Sequence, residues 1–268
     1  MTESSFRLLL MRLLVVVPTY CEKETITAVL QRIRTALPEA DILVVDDRSP
    51  DGTADLAEKA GVDLGGVHVL RRDGRRGLGS AYRSGYGWGL EHGYEMFCAM
   101  DADLSHDPDV LPEFVAALDG HDVVVGSRYI PGGSVLDWSW HRRALSRAGN
   151  WYSSWMLGLP VHDLTSGFRA YRAEILRAID LDTVRAEGYG FQIEMTYRAG
   201  AAGARFIEIP ICFADRMLGK SKMSGRIVIE ALALVTQWGL ARRGARWRRA
   251  THRLTGRVDA HAVHSNDR

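Results

Sequence analysis

Two aspartates two residues apart, Asp101 and Asp103 in Met100-Asp101-Ala102-Asp103-Leu104-Ser105-His106, are the side chains best placed for chemistry. They follow an apolar run over residues 94–99 that predicts a buried strand. If extended geometry persists through Asp103, both carboxylates lie on one face, because side chains two apart along a strand point the same way. Like charges so close repel, so a cation must sit between them or one carboxyl must stay protonated. A hard divalent cation that also grips a diphosphate resolves the repulsion. The alternative is structural: Asp103 caps the next helix and Asp101 is a polar strand end.

The elements that would hold this pair alternate. A continuous apolar run at 13–17 predicts a strand buried on both faces, 42–45 and 94–99 predict further buried strands, and 67–70 and 123–126 read as two more. Between them, apolar residues at helical spacing predict helices over about 24–36 and 53–59, after the 74–79 loop, and from about 107 onward. The order β-α-β-α-β-α-β-α-β implies an α/β fold with a mostly parallel central sheet flanked by helices. In such sheets ligands bind beyond the carboxyl ends of the strands. Pro18, Tyr20 and Glu22, then Asp46 and Asp47, then Asp101 and Asp103, then Ser127 and Arg128 all fall on that one edge.

The second half reads as a Gly/Pro/Trp loop over 129–140 and a helix over 141–157. A polar turn then enters a strand at 167–171, followed by a helix over 188–200 and a strand at 205–209. A basic loop over 213–225 and an amphipathic C-terminal helix over 227–249 complete it. The expected organisation is an N-terminal extension (1–12), one domain over 13–240, and a basic tail (241–268). Within the domain, the second half, about 129–240, reads as a smaller accessory region.

Of 268 residues, 46% are hydrophobic and 25% charged, which excludes a disordered or collagen-like chain. The formal net charge is +1, yet residues 241–268 carry eight arginines against two aspartates, a net +6 that suits an anionic surface or a solvated terminus. Cys21, Cys98 and Cys212 are too few and too scattered for a zinc site or a disulfide framework, which fits a reducing cytoplasm. Cys98 and Cys212 lie in apolar runs and read as core residues. No apolar run reaches the roughly 20 residues of a spanning helix. A membrane-associated chain of this kind would be peripheral.

Basic residues that could face a diphosphate are Arg75, Arg76, Arg128, Arg216 and Lys222, and the helix starting near Ser80 could aim backbone donors at an anion. Neither a full dinucleotide fingerprint nor a P-loop is present, and no nucleic-acid-binding motif accompanies the basic tail. Trp138, Trp140, Trp151 and Trp155 interleave with Arg142, Arg143 and Arg147, the pattern of a helix either lying at a membrane interface or packing on the sheet. Trp88 reads as a core aromatic, His106, His141 and His162 as structural or surface residues, and Asp163 with Arg169 as a buried pair.

Five motifs in order carry a resemblance. Val17-Pro18-Thr19-Tyr20-Cys21-Glu22, Val45-Asp46-Asp47-Arg48-Ser49-Pro50-Asp51-Gly52-Thr53, Asp101-Ala102-Asp103-Leu104-Ser105-His106, Gly126-Ser127-Arg128-Tyr129 with Gly132-Gly133, and Ser221-Lys222-Met223-Ser224-Gly225 resemble the family 2 glycosyltransferases, in particular the polyprenol (dolichol) phosphate mannose synthase group. The resemblance spans about 13–240. It implies a GT-A (Rossmann-like) fold with a C-terminal amphipathic helical region, and transfer of mannose from GDP-mannose to a polyprenyl phosphate with inversion at the anomeric carbon. It assigns Pro18, Tyr20, Glu22, Val45, Asp47, Asp101 and Ala102 to the nucleotide sugar, and Asp101, Asp103 and Ser105 to Mg²⁺ or Mn²⁺. Arg128, Arg216 and Lys222 would meet the phosphates of donor or acceptor, and Asp103 and Arg128 would carry the catalysis. Two positions depart from the group: Cys21 stands where Asn is usual, and Ser105 where some members have Gln.

A phosphate monoester is largely dianionic at neutral pH, so no general base is expected. The implied partners are GDP-mannose, a polyprenyl phosphate and the cytoplasmic face of a membrane, with or without a separate anchoring protein, and no nucleic acid. The competing readings are a family 2 transferase of another sugar, such as glucose or a UDP-linked one, and a non-catalytic nucleotide-sugar-binding membrane scaffold.

Overall fold

A computed structural model describes residues 11–74, 77–214 and 231–243 of the chain. A seven-stranded sheet forms the centre, built from β1 (Leu13–Thr19), β2 (Asp41–Asp46), β3 (Val67–Arg71), β4 (Met96–Ala99), β5 (Val123–Ser127), β7 (Arg169–Arg172) and β8 (Phe206–Pro210). Its order is β3-β2-β1-β4-β7-β5-β8. Every pairing is parallel except those of β7, which runs antiparallel between β4 and β5. The expected α/β architecture is therefore present. A second, two-stranded ribbon pairs β6 (Ser134–Val135) with β9 (Cys212–Phe213) beside the carboxyl end of β5.

The helices are α1 (Ile26–Ala36), α2 (Thr53–Leu64), α3 (Leu78–Glu91), α4 (Leu111–Ala117), α5 (Trp140–Leu157), α6 (Ala173–Ile179) and α7 (Tyr189–Ala201), and residues 231–243 are also helical. Alternation along β1 divides the core. Val15 and Val17 face Ile26, Val29, Leu30 and Ile33 of α1, whereas Leu14 and Val16 join Tyr82 and Tyr86 of α3 in the opposite layer with Phe191 of α7. Gly85 and Gly89 of α3 sit where a Cβ would collide with Val16 and with Phe97, so the helix lies close on the sheet and its N-terminus is held at the strand ends.

Several expectations are adjusted. The helix after Gly52 runs to Leu64 rather than 59. The seven-residue α6 was not anticipated, although its buried Ala173, Ile175, Leu176 and Ile179 carry helical spacing, because so short an element is weakly periodic. The strand bearing the aspartates stops at Ala99, and Leu104 adopts φ 61°, so Asp101 and Asp103 sit on an irregular loop and not on one face of an extended strand. Cys98 is buried as expected, but Cys212 is exposed, since β9 belongs to the outlying ribbon instead of the main sheet. No helix among the described residues is long and apolar enough to cross a membrane.

Candidate active site

A cleft of about 330 Å³ opens along the carboxyl ends of the parallel strands. Pro18, Tyr20 and Glu22 line it from the β1 end, Asp47 from beyond β2, Asp101, Ala102 and Asp103 from beyond β4, and Arg128 from beyond β5. The main set of residues nominated by the sequence thus converges on one space. Val45 does not line it: its side chain lies in the core under Gly85, and only its backbone is near the strand end. Arg75, Arg76, Arg216, Lys222 and the motif at 221–225 lie outside the described residues.

The adjoining aspartates 46 and 47 do different work. Asp46 is 2% exposed and accepts from Thr19 Oγ1 at 2.9 Å, Ser49 Oγ at 2.6 Å and Ser49 N at 2.8 Å, which closes the loop after β2. Asp47 faces the cleft, ion-paired with Arg72 at 2.5 Å and accepting from Gly77 N at 3.3 Å. Arg72 had no sequence signal, because it becomes a partner only when β3 docks beside β2. The nearby Cys21 has φ 60°, a left-handed conformation in which Asn is far more at ease than Cys.

At the aspartate corner, Tyr82 donates to Asp101 Oδ1 at 3.0 Å. Burial, reinforced by the Asp101 charge, pushes the Tyr82 phenol far above its ordinary pKa, so it remains a neutral donor. Asp103 Oδ1 accepts from Ser105 N at 3.1 Å and Ser105 Oγ at 2.5 Å. Ser105 is itself buried and does not line the cleft, so it aims Asp103 and is not placed as a ligand. His106, stacked on Phe168, accepts from Asp101 N at 3.2 Å through Nδ1. Burial holds its pKa down against the pull of Asp101 and Asp103, so the imidazole is neutral with its proton on Nε2. The structural reading of His106 is thereby upheld, with the addition that it lines the cleft.

The donor set suits a hard cation. Asp101 and Asp103 both line the cleft, and a Cβ at Gly167 would touch both Asp101 oxygens at 3.7 Å, so the glycine leaves that side of the carboxylate uncovered. No cluster of three or more His, Cys, Asp or Glu side chains forms a cation cage among the described residues. Further oxygens would have to come from a bound diphosphate and water, as Mg²⁺-type sites prefer.

The basic side of the cleft departs from expectation. Asp163 pairs with Arg128, not with Arg169: Arg128 Nε and Nη2 donate to Asp163 Oδ2 and Oδ1, each at 2.7 Å, and Nη2 also reaches Thr165 Oγ1 at 2.8 Å. Arg169 instead donates to the carbonyls of Ser166 and Leu164 and to Thr196 Oγ1. The N-terminus of α3 is already capped by an internal anion, Glu187, which accepts from Gly79 N at 2.9 Å and Ser80 N at 3.3 Å. That helix end is therefore not an open anion site. Sequence reasoning missed Arg142, Thr165, Glu187, Tyr189 and Gln192 as cleft residues, because loops and helix ends far apart in the chain bring them there.

A narrower apolar groove of about 80 Å³ adjoins the cleft, walled by Leu145, Gly149, Ile193, Ala231 and Leu232. Arg128, Trp138, Arg142, Thr165 and Tyr189 line both spaces. Trp138 is buried, with the Arg142 guanidinium 3.9 Å from its ring centroid and that of Arg128 at 5.6 Å, so it belongs to this junction and not to an outer face. Trp140, Trp151 and Trp155 are exposed on α5, at 77%, 69% and 54%. Trp88 packs against the core with His92 stacked on it, while His141 and His162 are surface residues bonded to Ser139 and Glu208.

A mostly parallel α/β sheet flanked by helices is the fold of the GT-A glycosyltransferases, and the solved structures agree with that fold. Glucosyl-3-phosphoglycerate synthase from Mycobacterium tuberculosis, in complex with Mn²⁺, UDP-glucose and phosphoglyceric acid, superimposes with a TM-score of 0.65 over 88% of this chain and 82% of that one, at 19% identity. The sequence matches the Glycosyl transferase family 2 profile over residues 14–180, and the chain belongs to that family. Among curated relatives, the undecaprenyl-phosphate mannosyltransferase of Micrococcus luteus is 51% identical over 91% of this chain and 99% of its own. The polyprenol monophosphomannose synthase of Mycolicibacterium smegmatis is 48% identical, covering 85% and 87% respectively.

Proposed function

We propose that this enzyme transfers mannose from GDP-mannose to the phosphate of a polyprenyl phosphate, with inversion at the anomeric carbon. The observation that carries this reading is the junction. A cleft with an aspartate pair meets an apolar groove, and two arginines, Arg128 and Arg142, stand where they meet. A lipid phosphate needs that combination: cations for the headgroup and apolar walls for the first prenyl units. The names of the two relatives point to the same acceptor class.

Pro18, Tyr20, Glu22, Asp47 and Ala102 would hold the guanosine, with the backbone of Val45 beneath. Asp101 and Asp103 would hold Mg²⁺ or Mn²⁺, which would offset the charge of the departing GDP. Tyr82 and Ser105 keep the two carboxylates aimed. The acceptor phosphate oxygen forms the bond to the anomeric carbon as the bond to GDP breaks. No proton has to leave the nucleophile, so no base is assigned, and neutral His106 is not asked to be one. Arg128 and Arg142 position the acceptor, with Arg216 and Lys222 assigned to phosphate groups by motif alone.

The exposed tryptophans of α5 fall within about 60° on a helical wheel, and Arg243 stacks on Trp155 at 4.6 Å. This face suits peripheral attachment to the cytoplasmic leaflet, where the lipid phosphate would be presented. Radiolabelled transfer to an extractable polyprenyl phosphate, comparing GDP-mannose, UDP-glucose and UDP-N-acetylglucosamine with and without Mn²⁺, tests the reading. Label should enter the lipid only from GDP-mannose plus metal, and preference for a UDP-sugar would overturn it.

A further inference from the structure

Gln192 stands in the first turn of α7, 2% exposed, and lines the cleft beside Asp101. Its amide is unusual: neither Nε2 nor Oε1 has a hydrogen-bond partner among the described residues. The two neighbouring buried polar residues of the helix are satisfied, Glu194 by the backbone of Arg185 and Ala186 and Thr196 by Arg169 and Gln192 O. A buried amide left with both its donors and its acceptor unmet is costly, so a ligand group has to supply partners for both. Gly167 provides the opening. A Cβ there would come within 3.7 Å of Gln192 Nε2 and of the Asp101 carboxylate oxygens, so the glycine keeps a shared space between amide and aspartate.

The chemistry of the orphan selects the ligand. A phosphate oxygen or a metal-bound diphosphate only accepts, and would leave Oε1 unpaired. Prenyl carbons offer neither partner, and Gln192 does not line the apolar groove. A sugar hydroxyl both donates and accepts. We propose that Gln192 is a specificity-determining residue that hydrogen-bonds hydroxyls of the hexose being transferred, between the aspartate corner and the lipid junction. This rests on the glycosyl-transfer reading above and adds the residue by which the site would read the sugar.

The test is Gln192→Met, which keeps the length and burial of the side chain and removes its hydrogen bonding. Affinity for GDP, measured by calorimetry, should stay within about twofold, while kcat/KM for GDP-mannose falls about 10–100-fold, the range expected for lost buried hydrogen bonds. Tm should rise, since an unmet buried amide has been replaced by a thioether. Donors deoxygenated singly at C2, C3 and C4 should include at least one that wild type discriminates against by about tenfold and the variant does not. Unchanged kcat/KM, a loss of GDP affinity equal to the loss of activity, or a change confined to the acceptor KM would each overturn the assignment. If wild type transfers no mannose, the glycosyl-transfer reading has failed. The residue is then still decided by whether the extra affinity of a sugar nucleotide over its free nucleotide disappears in the variant.

Discussion

Replacing Asp163 with Asn would strip the counter-charge from a guanidinium that the fold has buried. Asp163 is fully buried and Arg128 is 5% exposed, and their bidentate contact is reinforced by Arg128 N, which donates to Asp163 Oδ2 at 3.0 Å. Asn keeps one acceptor oxygen but presents an amide N–H₂ towards the guanidinium, so a formal charge is left in a low-dielectric space with a like dipole against it. Removing one member of such a pair costs about 3–5 kcal/mol, a large part of the roughly 5–15 kcal/mol by which domains are stable. Urea unfolding followed by circular dichroism at neutral pH measures it. The double variant Asp163→Asn with Arg128→Met removes both charges together and should recover most of the loss, giving a coupling of at least about 2 kcal/mol in a double-mutant cycle with the two single variants. Acid should mimic the single change. Burial alone would raise the Asp163 pKa, but the Arg128 guanidinium overrides burial and holds the carboxyl below the usual carboxylate range. The stabilisation is therefore complete above that range and is lost as pH falls through the depressed pKa. A cost for Asp163→Asn below about 1 kcal/mol would refute the claim that the pair is desolvated.

Asp103→Ala should abolish metal-dependent turnover while leaving the fold intact by circular dichroism; activity within about threefold of wild type would remove Asp103 from the site. Cys21→Asn relieves a left-handed cysteine and should stabilise the protein by up to about 1 kcal/mol in the same urea assay; a loss would show that the thiol is held for another reason. Burial pushes the Cys98 thiol up to about 12, so mass spectrometry after iodoacetamide treatment should find Cys21 and Cys212 modified in the native protein and Cys98 only after unfolding.

Much of this site was legible because the chain repeats one device: an apolar strand that stops at a polar loop. Pro18, Asp47, Asp101, Asp103 and Arg128 all stand at such stops, so placing them on one edge required only the parallel topology. What could not be read are partnerships made across the chain. Arg128 and Asp163 are 35 residues apart, Gly79 and Glu187 108 apart, and no local period encodes either contact. The antiparallel insertion of β7 explains the first of these. By returning between β4 and β5, it carries the turn that holds Asp163, Thr165 and Gly167 into the cleft. Proximity in sequence pairs Asp163 with Arg169, whereas Arg128 is the arginine near it in space. The pattern places Arg142 on an amphipathic helix; that the first turn of this helix also faces inward onto Trp138 follows from packing, not pattern.

The central claim is that the lipid phosphate is received at the junction of cleft and groove. It is tested most directly by Arg142→Ala assayed with a polyprenyl phosphate acceptor alongside GDP binding. A charge-assisted contact of about 1.5–3 kcal/mol predicts a loss of about 10–150-fold in kcat/KM for the lipid, with the Kd for GDP within twofold of wild type. Unimpaired use of the lipid, or a loss that follows GDP affinity instead, would contradict the account.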